Sequence, residues 1–443
     1  MRRSMFSAWV FLAFSIAVPS GSAHASCVND STQTLDAMGN QISVTLISSA
    51  PCGVYGTANS RFERVGSVET QIVVPYMTHT PATKVKAIAV LLAGSDGETG
   101  ITPDPCGSAS TPCSPVPVLS TNNNFLVRSA QLFAENGFKA ITIDRPSPLP
   151  SGDQCGTSSE CYEIYRQSQR HALDIAAVVK KENPHNKSVF LVGTSRGAIS
   201  AVAQNLMATG SMLSSPVTLA PLTSTTAGIP SPCDHLHKAF VDDCFYTELQ
   251  PAAVKVPVQI LVHAGDTCFV SPPSEATIVK NDFVAGGVQT FFFQETGGFE
   301  LVGGDPCEAQ SFHGYLGIEN AVVDRITHRM TLIRRNINLA APGDHAPHAG
   351  NGNYSITAGT TPATFDLASL ASDPDVGDTL TFALVHLKST RAVPLSIAGS
   401  VVTYDVASAG LTGPTVKDAF VYTATDSHGK KRFGIVRVNV TVP

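Results

Sequence analysis

The sequence predicts an α/β domain built on a mostly parallel central sheet, followed by a small all-β sandwich, and three observations carry that prediction. Across residues 68–336 apolar, β-rich runs alternate with helical patterns, as βαβ units do. Residues 187–203, K-S-V-F-L-V-G-T-S-R-G-A-I-S-A-V-A, run from a buried-strand pattern through a Gly-x-Ser-x-Gly turn into a small-residue helix. Beyond residue 352 every apolar cluster is short and strand-like. The length agrees, since 443 residues exceed one ordinary domain.

The N-terminus reads as a targeting segment. Arg2 and Arg3 precede an apolar run over residues 5–18 and a small-residue stretch ending Ala23-His24-Ala25, the layout of a secretory signal. Residues 1–25 are therefore expected to be removed, giving a secreted protein, periplasmic or extracellular, that starts at Ser26. No later stretch is long and apolar enough to span a bilayer. The signal holds two arginines and no acid, so its loss takes the formal charge from −6 to −8. That balance argues against a nucleic-acid or anionic-membrane partner. The signal also holds Trp9, the one tryptophan, leaving no indole with which to grip a polysaccharide.

All ten cysteines lie beyond it, at Cys27, Cys52, Cys106, Cys113, Cys155, Cys161, Cys233, Cys244, Cys268 and Cys307. An even count in an exported chain points to disulfides, and no C-x-x-C repeat suggests zinc. Spacing does not fix connectivity; pairing of sequence neighbours is the expectation adopted.

In chain order, residues 41–47 and 67–74 predict antiparallel strands that lead into a mixed sheet. Residues 86–92 form a buried strand that runs into Ala93-Gly94-Ser95-Asp96-Gly97, where a backbone N–H of Ser95 or Asp96 is placed to face an oxyanion. A helix over 124–136, a strand over 138–143 and an amphipathic helix over 160–181 follow. His171 and Asp174 on that last helix read as structural. Ser195 of the Gly-x-Ser-x-Gly turn is the candidate nucleophile, because Gly193 and Gly197 permit a sharp turn and Arg196 brings its N–H to a helix start. A strand over 216–220 and an irregular, Pro-rich insertion over 221–256 come next, the latter a candidate lid. Its Asp234-His235-Leu236-His237 lacks a third ligand at metal-binding spacing. The strand over 258–263 ends just before Asp266, where a carboxylate can orient a histidine. A helix over 274–284 and a strand over 288–294 precede His313, the candidate general base, with Gly314 beside it to let it swing toward the serine, and the final helix covers 318–333.

Together these features resemble the α/β-hydrolase superfamily over residues 68–336. The resemblance implies Ser195 as nucleophile, His313 as base, Asp266 as acid, and an oxyanion hole from the Arg196 N–H and the Gly94–Asp96 loop, with Ser95 and Asp96 as its donors. Thr194 and the Ala-Gly-Ser-Asp-Gly loop depart from common versions of the family's motifs and leave the subfamily open. Secreted polyester-cleaving hydrolases similar to this fold can carry a bridge like Cys268–Cys307, which here would tie the acid loop to the base loop.

Residues 339–352 read as a linker between a catalytic domain at 26–338 and a sandwich at 353–443. Strands are expected over 364–367, 379–385, 401–404, 419–424 and 433–442. Asp-Pro-Asp-Val-Gly-Asp at 373–378 and the stretch 420–429 resemble the cadherin-like or Ig-like modules of bacterial secreted proteins. In those modules paired acidic turns can bind calcium, and Asp373, Asp375, Asp378 and Asp426 are the matching positions. The function expected is a serine esterase or lipase-like enzyme that needs no cofactor for catalysis, acting on a small-molecule or polymeric ester, with a C-terminal module suited to binding a surface or another protein. A peptidase of the same fold, or an adhesion protein with a non-catalytic hydrolase domain, are the alternatives.

Overall fold

The computed structural model describes residues 29–49, 52–65, 68–94, 97, 99–103, 117–119, 124–146, 165–215, 254–269, 271–338, 345–359, 361–375, 377–411 and 414–442. Eight strands form the main sheet: β1 (Val54–Val65), β2 (Val68–His79), β3 (Ala87–Leu92), β4 (Phe138–Ile143), β5 (Val189–Thr194), β6 (Gly210–Ser214), β7 (Val258–His263) and β8 (Thr290–Glu295). Their order across the sheet is β8-β7-β6-β5-β3-β4-β2-β1. The strands from β4 to β8 and β3 pair in parallel, while β2 runs antiparallel to both β1 and β4. This is the α/β-hydrolase arrangement. The central strands β3, β5, β6 and β7 are buried along their whole length, because helices cover both faces.

On one face α3 (Gln169–Glu182) and α4 (Gly197–Ala203) pack through Ala172, Ile175, Val179 and Val202 against Ile88, Val90 and Leu191. The other face is covered by α1 (Phe125–Arg128), α2 (Ala130–Glu135) and α6 (Glu319–Asn338), whose Phe133, Val322 and Ile326 meet Ala89, Phe190 and Met212. Helix α5 (Pro273–Ala285) packs beside β7 and β8.

Several sequence expectations are corrected here. Residues 41–45 belong to a separate hairpin with Thr32–Leu35, so the leading strands of the main sheet are β1 and β2. The helix expected over 124–136 is two helices, since Ser129 breaks the run. The strand after α4 is Gly210–Ser214; the stretch 216–220 lies outside the described residues. Its G-S-M-L-S composition is weakly β-forming, and tertiary burial between β5 and β7 overrides it.

The C-terminal domain comprises β9 (His348–Ala349), β10 (Gly352–Thr357), β11 (Ala363–Asp366), β12 (Ala371–Ser372), β13 (Thr381–Leu384), β14 (Leu395–Ala398), β15 (Val401–Tyr404), β16 (Thr415–Thr425) and β17 (Lys431–Thr441). A four-stranded sheet, β10-β17-β16-β13, and a three-stranded one, β11-β15-β14, enclose Phe365, Tyr404, Phe420 and Val436. Strand β9 falls inside the stretch read as linker, being too short to leave a periodic signal. The sandwich is docked on the catalytic domain. Phe420, Tyr422 and Ala424 point into its own core, whereas Ala419, Val421, Phe433 and Ile435 join the apolar cluster of α3. Residues 418–424 are buried throughout because both faces of β16 are covered.

Candidate active site

The turn after β5 is forced by backbone proximity. A Cβ on Gly193 would lie 2.2 Å from the Gly197 carbonyl oxygen, and one on Gly197 only 2.0 Å from that of Leu92. Between them Ser195 has φ +51°, a left-handed conformation that costs a non-glycine residue about 1–3 kcal/mol. The Ser195 N–H donates to the Ser214 carbonyl at 3.0 Å and its own carbonyl accepts from Ala198 N–H at 3.0 Å, which hold it there. Arg196 occupies the N-cap position of α4. Gly94 approaches so closely that a Cβ there would sit 2.9 Å from Ser195 Cβ. Ser95 and Asp96, expected as oxyanion donors, lie outside the described residues.

Two arginines fix the loops around this turn. Arg166, buried, donates to the carbonyls of Ala93 at 2.8 Å and Gly94 at 3.3 Å and to Ser200 Oγ at 3.1 Å, linking the end of β3 to α4. Arg128, also buried, pairs with Glu319 at 3.0 Å and donates to the carbonyls of Ala309 at 3.1 Å and Gly314 at 2.5 Å, on either side of His313.

Asp266 and His313, 47 residues apart, are brought together: His313 Nδ1 lies 3.0 Å from Asp266 Oδ2. Ser271 Oγ is 2.9 Å from the same nitrogen. With two oxygens facing it, Nδ1 carries the proton, which leaves the Nε2 lone pair directed away from them. Nε2 is buried and has no hydrogen-bond partner among the described residues. His313 and Ser195 line one cavity of about 260 Å³ together with Gly94, Asn124, Phe125 and Phe269. Phe269 stands 82% exposed at its rim. A positioned base, a strained hydroxyl on the same cavity and a helix N-terminus beside it can support acyl transfer.

Gly314 has a different role from the one expected. A Cβ there would lie 2.0 Å from the Ala309 carbonyl oxygen, so the glycine permits a close backbone approach and does not serve as a swivel. The acid and base loops are tied twice. Cys268 and Cys307 form a disulfide, and the His263 ring stacks on Phe312 with centroids 4.4 Å apart and planes 2° from parallel. His263 accepts from Gly265 N–H at Nδ1 and reaches the Gly297 carbonyl through Nε2. Cys52 is disulfide-bonded as well; the other seven cysteines lie outside the described residues.

His171 and Asp174 lie apart from this cavity, buried on α3. Asp174 pairs with Arg61 and accepts from Tyr165, while burial, then the charges of Arg166, Arg61 and His386, hold the His171 imidazole well below its ordinary pKa. The 221–253 insertion with Asp234, His235 and His237 is outside the described residues. Sequence reading missed Ser271, Arg166, Arg128 and the His263–Phe312 stack. None sits in a motif; each meets the site through chain segments tens of residues away.

In the C-terminal domain, oxygens of Asp373, Asp375 and Asp378 lie within 4.8 Å of one another, as do ligand atoms of Asp378, Asp426 and His428. Asp373 Oδ2 is buried and has no hydrogen-bond partner among the described residues. Clustered carboxylate oxygens fit a hard cation such as calcium. His345 and His428 contact Asp375 and Asp378 at 2.7 and 3.0 Å.

Residues 344–441 match the family model described as a bacterial Ig domain. No curated protein matches the chain. Among solved structures, a zinc-bound cold-adapted esterase from an Arctic intertidal metagenomic library is 14% identical, with 63% of this chain and 94% of the other covered and a TM-score of 0.35. A Xanthomonas campestris protein described as an α/β serine hydrolase without lid is 13% identical, with 62% and 94% covered and a TM-score of 0.35. A Pyrococcus horikoshii acylaminoacyl peptidase is 11% identical, with 63% and 41% covered and a TM-score of 0.36. At such identities and scores the fold assignment rests on strand order and on the turn at Ser195. Among the described residues no helix is long and apolar enough to cross a membrane.

Proposed function

We propose that the chain is a secreted serine hydrolase that cleaves carboxylic esters through an acyl-enzyme. Ser195 Oγ attacks the ester carbonyl carbon while its proton passes to His313 Nε2. Asp266 and Ser271 orient the imidazole through Nδ1, and the carboxylate stabilises the imidazolium. The Arg196 N–H and donors of the Ser95–Asp96 loop hold the tetrahedral oxyanion. Collapse breaks the ester C–O bond and the alcohol leaves with the imidazolium proton. Water, deprotonated by His313, then attacks the acyl-enzyme, releasing the acid and restoring Ser195.

The observation that carries this reading is the buried His313 Nε2, without a partner among the described residues, on the cavity shared with Ser195, with Nδ1 engaged by Asp266. Secretion rests on the N-terminal layout and is supported by disulfide formation. The preference for esters over amides follows the family resemblance. Calcium, held by Asp373, Asp375, Asp378 and Asp426, is assigned to the Ig-like domain, away from catalysis.

The test is fluorophosphonate labelling of the mature protein with an ester panel of graded acyl length and matched peptides. Labelling and ester turnover that vanish in Ser195→Ala support the reading. Labelling that persists in Ser195→Ala, or turnover of peptides alone, would overturn it.

A further inference from the structure

The Ig-like domain reaches the candidate active site through a chain of buried hydrogen bonds. His386, in the loop that follows β13, sets its Nε2 3.1 Å from Gln204 Oε1 of the catalytic domain, a partner 182 residues away in sequence. Gln204 Nε2 in turn donates to the carbonyls of Arg166 at 3.1 Å and Ser168 at 3.4 Å. All four residues are buried.

The orientation of the Gln204 amide follows from its partners. Two carbonyl oxygens can accept only from its NH2 end, so its oxygen faces His386 and requires a donor there. His386 Nε2 is therefore assigned the proton. The setting is apolar, since Val385 and Ala203, each preceding one partner, pack with Val421 and Phe433 in one cluster. Hydrogen bonds in such surroundings are strong when made and costly when broken.

Arg166 carries the link onward. Its guanidinium donates to the carbonyls of Ala93 and Gly94 and to Ser200 Oγ. Gly94 leads into the Ser95–Asp96 loop, and Ser200 lies on α4, whose N-cap is Arg196 and whose C-cap is Gln204 itself. One side chain thus ties together the two walls of the proposed oxyanion hole.

We propose that His386 is a positioning residue for the candidate active site: by donating to Gln204 it fixes Arg166, and through Arg166 the oxyanion donors on either side of Ser195. The Ig-like domain is then part of the catalytic unit, beyond any binding it performs. This inference rests on the acyl-transfer reading of Ser195. Because the oxyanion forms only in the transition state, displaced donors lower kcat and leave KM nearly unchanged.

Ester kinetics of the full mature chain test it, together with hydrogen exchange over residues 193–203. His386→Leu removes the donor and is expected to lower kcat about tenfold, with KM within about twofold, and to speed exchange at the start of α4. His386→Gln keeps an N–H donor and is expected to restore most of both. Glu69→Gln removes interface ion pairs with Arg391 and Lys417 and is expected to leave both readouts unchanged. Should His386→Leu fail to fold, Gln204→Met cuts the link from the other side and is read in the same way. Equal losses in His386→Leu and His386→Gln, a matching loss in Glu69→Gln, or kcat and exchange unchanged in the folded variants overturns the inference. A wild-type protein that neither labels at Ser195 nor turns over esters overturns the acyl-transfer reading instead, and exchange alone then decides whether His386 holds the turn.

Discussion

Cys268 donates its backbone N–H to Asp266 Oδ1 at 2.9 Å, so the carboxylate that faces His313 and the cysteine bonded to Cys307 are parts of one turn. A bridge spanning 39 residues removes unfolded-state entropy worth about 4 kcal/mol in the chain-entropy model. Cys307→Ala is expected to lower the Tm by on the order of 5–10 °C and kcat with it. Thermal melts and ester turnover, with and without reductant, check both; an unchanged kcat would show that the bridge stabilises without positioning.

The glycines around Ser195 separate folding from catalysis. Gly197→Ala sets a Cβ against the Leu92 carbonyl at 2.0 Å, which no side-chain adjustment relieves. It is expected to cost about 3 kcal/mol or more in urea denaturation. Gly94→Ala meets Ser195 Cβ at 2.9 Å and presses on the proposed nucleophile itself. Its expected signature is a loss in kcat of about a hundredfold with a smaller loss of stability.

Arg128 and Glu319 form a buried ion pair beside the His313 loop. Arg128→Met strands the carboxylate and is expected to destabilise by about 3–5 kcal/mol. Adding Glu319→Gln should restore part of that loss, which a double-mutant cycle in urea measures. Additive losses would mean that the two do not act as a pair.

Stability should fall in mild acid. Burial holds the His79 pKa near 4, although its Nε2 meets the Ser49 carbonyl at 2.7 Å. The unfolded imidazole titrates near 6.5, so between pH 6.5 and 4 the unfolded chain binds more protons and stability drops with pH. The stabilisation, roughly 3 kcal/mol from the shift, is complete above pH 6.5 and lost toward pH 4. Buried His171 acts in the same direction. Urea denaturation across this range should show a shallower decline in His79→Gln.

Calcium should stabilise the Ig-like domain if the acidic turns hold it. Added Ca²⁺ is expected to raise the melting transition and EDTA to reverse the gain, with Asp373→Asn abolishing the response, because Asp373 Oδ2 is buried without another partner among the described residues. A Tm indifferent to calcium would remove this assignment.

Much of the architecture was legible because it depends on local pattern. The runs at 138–143, 189–194 and 258–263 are continuous, β-rich and bounded by turns, and each is a strand of the main sheet. Strand β6 was missed because Gly210, Ser211 and Ser214 carry little β preference, and its position is set by β5 and β7 on either side. The docking of the sandwich was latent in the A-F-V-Y-T-A run at 419–424, where alternate residues serve two different cores.

The sequence by itself determined the sharp turn at Ser195, since two glycines flanking a serine between strand and helix leave few other conformations, and it ordered Asp266 and His313 after that turn. Only the tertiary structure decided that Nδ1 of His313 meets Asp266 and Ser271, that Arg128 and Arg166 fix the surrounding loops, and that His386 of the Ig-like domain meets Gln204. Turn geometry is settled by neighbours along the chain. Hydrogen-bond partners are settled by distances in space, between residues whose separation in sequence leaves no pattern to read.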